Sequence, residues 1–127
     1  MKKREAYYRK LFLIGSIYNT IAGLSFFIFY KMVFSIVGME PPLYPAVLQS
    51  FTIVILVLGY GYFTVYKDLG KNRPIVVMGI LAKSLCCFVF MYHFFFGNIT
   101  LPLLSLLIID LLFALLFLEF LLRYESQ

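Results

Sequence analysis

Charged residues are so sparse along this chain that their positions cut it into four apolar stretches. Residues 11–30 and 41–66 contain no Asp, Glu, Lys, Arg or His, and residues 74–122 contain only Lys83, His93, Asp110 and Glu119. A bilayer core of about 30 Å is crossed by about 20 apolar helical residues. The pattern predicts spans at residues 11–33, 46–66, 74–96 and 101–122. Transmembrane strands run to about ten residues with alternating polarity, and no alternation is present. The expected fold is therefore all-α: a single transmembrane domain over residues 1–127, built as a four-helix up-down bundle.

Turn chemistry sets the boundaries. Pro41, Pro42 and Pro45 crowd the segment before the second span, where a helix interior is impossible but Pro45 suits a first turn. Asn72 stands as the predicted N-cap of the third span with Pro74 in its first turn. Gly97-Asn98-Ile99-Thr100 separates the third span from the fourth, which opens on Pro102. Short connections lead to the expectation that the second, third and fourth spans are antiparallel neighbours.

Composition sharpens the picture. The chain is 63% hydrophobic, with fifteen Phe, ten Tyr and no Trp, so interfacial anchoring falls to Tyr. The net charge of +5 invites a nucleic-acid reading, but its placement argues against one. Lys2, Lys3, Arg4, Arg9 and Lys10 directly precede the first span, Lys67, Lys71 and Arg73 lie between the second and third, and Arg123 follows the fourth. Only Lys31 serves the other side. Basic residues in short loops face the cytoplasm, which predicts an N-in/C-in, multi-pass protein of a cell membrane. The first span lacks a cleavage site and is too long for a signal peptide. Cys86 and Cys87 are adjacent, which disfavours a disulfide.

Polar residues at membrane depth are costly and usually find partners in the bundle interior. At about 1.5 Å of rise per residue, Lys83 lies about 13 Å from the inner edge and Asp110 about 17 Å. An ion pair between them is geometrically natural. Asn19 lies about 12 Å from the same edge, and Tyr60 and Tyr62 fall at a similar level. Asn19, Tyr60, Tyr62, Lys83 and Asp110 thus form a candidate polar slab. It reads either as a structural lock that fixes register or as a site for a headgroup, small molecule or proton; Lys83 snorkelling alone to the interface is a third reading.

A second polar set, Lys31, Glu40, Gln49, Tyr92, His93 and Asn98, gathers at the outer end. One histidine is too few for a zinc site, and no metal or cofactor is expected. Glu119 and Arg123 are spaced as a local helix pair. Gly15, Asn19 and Gly23, with Ser16 and Thr20 beside them, make a small-residue stripe suited to close helix approach, either within the bundle or between copies.

Gly59-x-Gly61-Tyr62, Lys67-Asp68, Gly79-x-x-x-Lys83, Leu101-Pro102 and Asp110 together resemble the pattern of small uncharacterised bacterial four-span proteins, broadly of the DoxX type. The resemblance covers residues 59–110. Leu111 and Leu112 depart from it where aromatics often follow the Asp. It implies a four-helix fold in a bacterial inner membrane and carries no catalytic residue.

Three functions follow from the residues. The first is a non-catalytic accessory or scaffold module that docks on a larger membrane complex. The second is a ligand-binding or transport bundle, dimeric in its working form, using the Lys83–Asp110 slab. The third is a lipid- or quinone-directed enzyme with Asp110 or His93 as acid/base and Tyr60 or Tyr62 assisting. Catalytic centres usually gather more carboxylates or histidines, which ranks the enzyme last. The lipid bilayer is the one partner common to all three.

Overall fold

The computed structural model describes residues 2–124, the side chains of Lys2 and Lys3 excepted. Their part in the basic flank lies outside the described residues. Helix α1 spans Lys2–Ile28, α2 Tyr30–Ile36, α3 Pro45–Lys67, α4 Arg73–Phe95 and α5 Leu101–Arg123. Four of these, α1, α3, α4 and α5, are long and apolar enough to cross a membrane. The protein is an all-α, multi-pass membrane protein, and among the described residues there are no strands.

Proline and glycine set the ends. Pro45, Pro74 and Pro102 occupy first-turn positions of α3, α4 and α5, where a missing N–H costs nothing. Gly38 and Gly97 have φ of 76° and 78° and close α2 and α4. In each case the N–H beyond the glycine reaches back five residues, Met39 to Phe34 at 2.8 Å and Asn98 to His93 at 2.9 Å. That is the Schellman closure, which needs a residue at ease in the left-handed region.

Three sequence expectations change. The first helix begins well before residue 11 and takes in the basic stretch, where Tyr8 and Phe12 bury themselves against the last turns of α5. At Phe29 the first span bends and continues as α2. The bonds Phe29 N–H to Ser25 and Val33 N–H to Phe29 persist at 2.9 and 3.0 Å, so the helix is distorted there rather than ended. Asn72 sits at the N-cap position of α4 without capping it. Its amide donates instead to the carbonyls of Thr64 and Asp68 at 3.1 and 2.9 Å, a side-chain closure of the end of α3 beside the Asp68 N–H that the Thr64 carbonyl also accepts.

Helix pairing follows connection length for α4 and α5 but not for α3 and α4. The intimate pairs are α1 with α3 and α4 with α5, whereas α3 with α4 and α1 with α5 approach less closely. Small residues explain the first pair. A Cβ on Gly59 would meet the Asn19 Cβ at 3.1 Å and the Ser16 carbonyl at 3.4 Å, and one on Gly23 would meet Leu56 at 2.8 Å. Ser16 donates to the Gly59 carbonyl at 2.7 Å and Asn19 to the Ile55 carbonyl at 3.1 Å. The Gly15–Asn19–Gly23 stripe is therefore occupied inside the chain.

Between α1 and α5 aromatic rings fill the space instead. Phe12 stacks on Phe117 with centroids 4.7 Å apart, and both Phe12 and Tyr8 meet Phe120 edge-on. Tyr62 of α3 packs against Phe117 from a third side. This cluster, with Val65, Leu69 and Val76, forms the core. It lies toward the basic end, where the α3–α4 connection and both chain ends meet. At the opposite end Thr100 donates to the Val37 carbonyl at 2.5 Å, tying the two connections together.

Candidate functional site

The polar side chains on α1, α4 and α5 converge near mid-helix. Lys83 is a tenth-residue step into α4, and its side chain leaves the helix on the face of Val76, Gly79 and Cys87, all buried. Its ammonium donates to Asp110 Oδ1 at 2.7 Å and to Asn19 Oδ1 at 2.9 Å. Among the described residues α1 and α4 make no close backbone approach, so the bond to Asn19 is a diagonal strut through the bundle. Asn19 is held in turn by its own bond to the Ile55 carbonyl of α3. One ammonium thus links all four spans.

Aromatic rings complete its surroundings. Lys83 Nζ lies 5.5 Å from the ring centres of Tyr62 and Phe113 and 5.8 Å from that of Tyr18. A cation within about 6 Å of a ring face is attracted by its quadrupole. Aromatic boxes of this kind elsewhere hold ligand cations; here the chain's own lysine fills the box. The Tyr18 hydroxyl donates to the Leu106 carbonyl at 3.2 Å, one turn before Asp110, which fixes the third wall.

The two charges differ in enclosure. The Lys83 side chain is 5% exposed and that of Asp110 23%. Only Oδ1 of Asp110 accepts a bond from Lys83. The Tyr62 hydroxyl is buried with no hydrogen-bond partner. It presses on Gly79, where a Cβ would stand 2.5 Å from its oxygen, so glycine is what lets this ring enter.

Of the five slab residues, four meet. Asn19, Lys83 and Asp110 bond directly and Tyr62 walls them. Tyr60 does not join: it is 69% exposed, against 0% for Tyr62. Two residues along a helix is a turn of about 200°, so only one of the pair faces inward. Tyr18 and Phe113 were not foreseen. Their signal was present, since Tyr18 precedes Asn19 and Phe113 follows Asp110 by three, on the same face.

The outer polar set is assembled only in part: Tyr92 and Asn98 lie against His93, while Lys31, Glu40 and Gln49 stand apart. Gln49 donates to the Phe27 carbonyl at 3.4 Å, and His93 Nδ1 lies 3.2 Å from the Asn98 amide. Lys31 and Glu40 are exposed. Among the described residues the ion pairs are Lys83–Asp110 and Lys71–Asp68. Glu119 accepts from the Tyr8 hydroxyl at 3.5 Å rather than pairing with Arg123. No three metal-ligating side chains come together among the described residues. Cys86 and Cys87 are both free thiols.

Comparison with protein families, with curated proteins and with solved structures gives no match. The chemistry of the site therefore rests on its geometry: a buried ammonium with two of its three donors bonded, a carboxylate half engaged, and a buried phenol without a partner among the described residues.

Proposed function

We propose that the protein is a non-catalytic transmembrane module, an accessory or scaffold subunit whose outer surface docks on a larger membrane assembly. The observation that carries this reading is the state of Lys83. Its side chain is 5% exposed, and its ammonium gives two of its three N–H donors to Asn19 and Asp110. The ammonium also lies within 5.8 Å of three ring centres, so the surface it offers a substrate is small. A buried ion pair of this kind fixes register more than it stabilises. Large apolar side chains such as Ile21, Val57, Leu85 and Leu115 point outward along the spans. The distribution of basic residues supports cytoplasmic termini, and the DoxX-like pattern of residues 59–110 supports a bacterial inner membrane.

A second reading, a ligand- or proton-handling bundle, is favoured by one observation: the Asp110 side chain stays partly open while Lys83 is closed. The two readings separate in a folded variant without the pair. Lys83→Met combined with Asp110→Leu is expected to keep the protein's native assembly in mild detergent, read by blue-native electrophoresis. A correctly folded double variant that loses its cellular activity while keeping that assembly contradicts the module and supports the ligand site.

A further inference from the structure

At the basic end the surface between α4 and α5 opens into a groove of about 540 Å³ lined by Arg73, Pro74, Val77, Met78 and Leu121. It is a shallow, open depression rather than an enclosed cleft. The groove belongs to neither the Lys83 site nor the aromatic core. Arg73 makes its roof. The guanidinium reaches across to the last turn of α5, donating to the Leu121 carbonyl at 2.6 Å and the Tyr124 carbonyl at 3.2 Å. It also lies over the Phe120 ring, 5.8 Å from its centre. These contacts fix the side chain in place.

Two of its five N–H donors are spent on those carbonyls, so three remain. Below it the wall is apolar, formed by Val77 and Met78, both exposed, and by Leu121. Met is an adaptable surface for a flexible chain. A fixed guanidinium above an open apolar trough is the complement of an amphiphile with an anionic head. Basic residues predominate at this end. Lys67, Lys71 and Arg123 share it with Glu5, which lies near Tyr124, and with Asp68, which is engaged by Lys71 and by the N–H groups of Gly70 and Lys71. Basic pockets between spans on such a face bind anionic lipid heads, and guanidinium matches phosphate geometry.

We propose that this groove binds one anionic phospholipid, its phosphate on Arg73 and an acyl chain along Val77, Met78 and Leu121. The test is native mass spectrometry of the purified full chain after exchange into mixed phosphatidylglycerol and phosphatidylcholine nanodiscs. The wild type is expected to retain one phosphatidylglycerol in preference to phosphatidylcholine. Arg73→Gln is expected to lower that retention about tenfold, the loss of one charge-assisted bond, and Arg73→Lys to restore part of it. Met78→Trp fills the trough and leaves the cap on α5 intact, so it is expected to abolish retention without altering the helical circular dichroism. Equal retention of the two lipids by the wild type overturns the proposal. So does undiminished phosphatidylglycerol retention in Met78→Trp, a result that stands even if Arg73→Gln fails to fold.

Discussion

The mid-helix polar knot and the aromatic core at the basic end hold the same four spans together by different physics. In the core Phe12, Phe117, Phe120, Tyr8 and Tyr62 interlock ring on ring. Each ring contributes through contact and complementary shape, and a displaced ring loses only part of it. In the knot three polar side chains meet at 2.7 and 2.9 Å, and any displacement leaves a charge unpaired in lipid. Because lipid tails are as apolar as Leu, no hydrophobic force drives helices together within the bilayer. Packing therefore supplies cohesion, and the knot dictates which packing is accepted. A bundle with α4 slipped by one turn still buries rings but strands Lys83.

Substitutions that break this division have effects of descending size. Lys83→Met leaves the Asp110 carboxylate alone and should destabilise by about 3–5 kcal/mol, as expected when one partner of a buried pair is removed; steric trapping or denaturant unfolding in detergent reads it. Phe117→Ala empties the centre of the core and should cost about 3–5 kcal/mol, yet it should leave the register unchanged. Disulfide cross-linking between Cys pairs placed on α4 and α5 is expected to report the native register in Phe117→Ala and mixed registers in Lys83→Met.

Smaller effects sharpen the boundary between the two regions. Gly59→Ala forces apart α1 and α3 where the Ser16 carbonyl and the Asn19 Cβ leave little room, and should cost about 1–3 kcal/mol. Ser16→Ala removes the 2.7 Å bond to the Gly59 carbonyl and should cost about 0.6–1.7 kcal/mol. Tyr62→Phe is the smallest and most diagnostic. The ring serves the core and the cage, whereas the hydroxyl has no partner. Its removal should therefore leave stability unchanged or raised by about 1 kcal/mol. A marked loss of stability would mean that the hydroxyl engages a group, such as a buried water, that belongs to the knot.

How much of this was legible in the sequence follows from what one-dimensional spacing encodes. Charge-free stretches and Pro or Gly at their ends give the spans and their boundaries, because solvation and backbone sterics act locally. Depth is also linear in residue number, so the levels of Asn19, Lys83 and Asp110 brought that trio together on paper. Azimuth is less accessible. Depth alone does not separate Tyr60 from Tyr62, and only the close fit of Tyr62 on Gly79 decides it. The aromatic cage was hidden for another reason: in a chain with 25 Phe and Tyr, no single ring stands out. Asn72 shows a third limit, since a cap-forming residue between two helices serves whichever terminus lies nearer. The α4–α5 pair followed its short connection, but the α1–α3 pair followed small residues, so the stripe on α1 carried more information than the α3–α4 turn did. The outer polar set came together only around His93, which meets Asn98, because Lys31 and Glu40 are exposed and Gln49 turns to the Phe27 carbonyl.

The most direct measurement is a double-mutant cycle on unfolding free energy with Lys83→Met, Asp110→Leu and the pair combined. A register lock predicts that each single change is costly, because it strands the partner's charge, and that the combined variant, which leaves no charge behind, returns to near wild-type stability. Additive losses, with the combined variant less stable than either single one, would contradict the lock and remove the ion pair from the centre of the account.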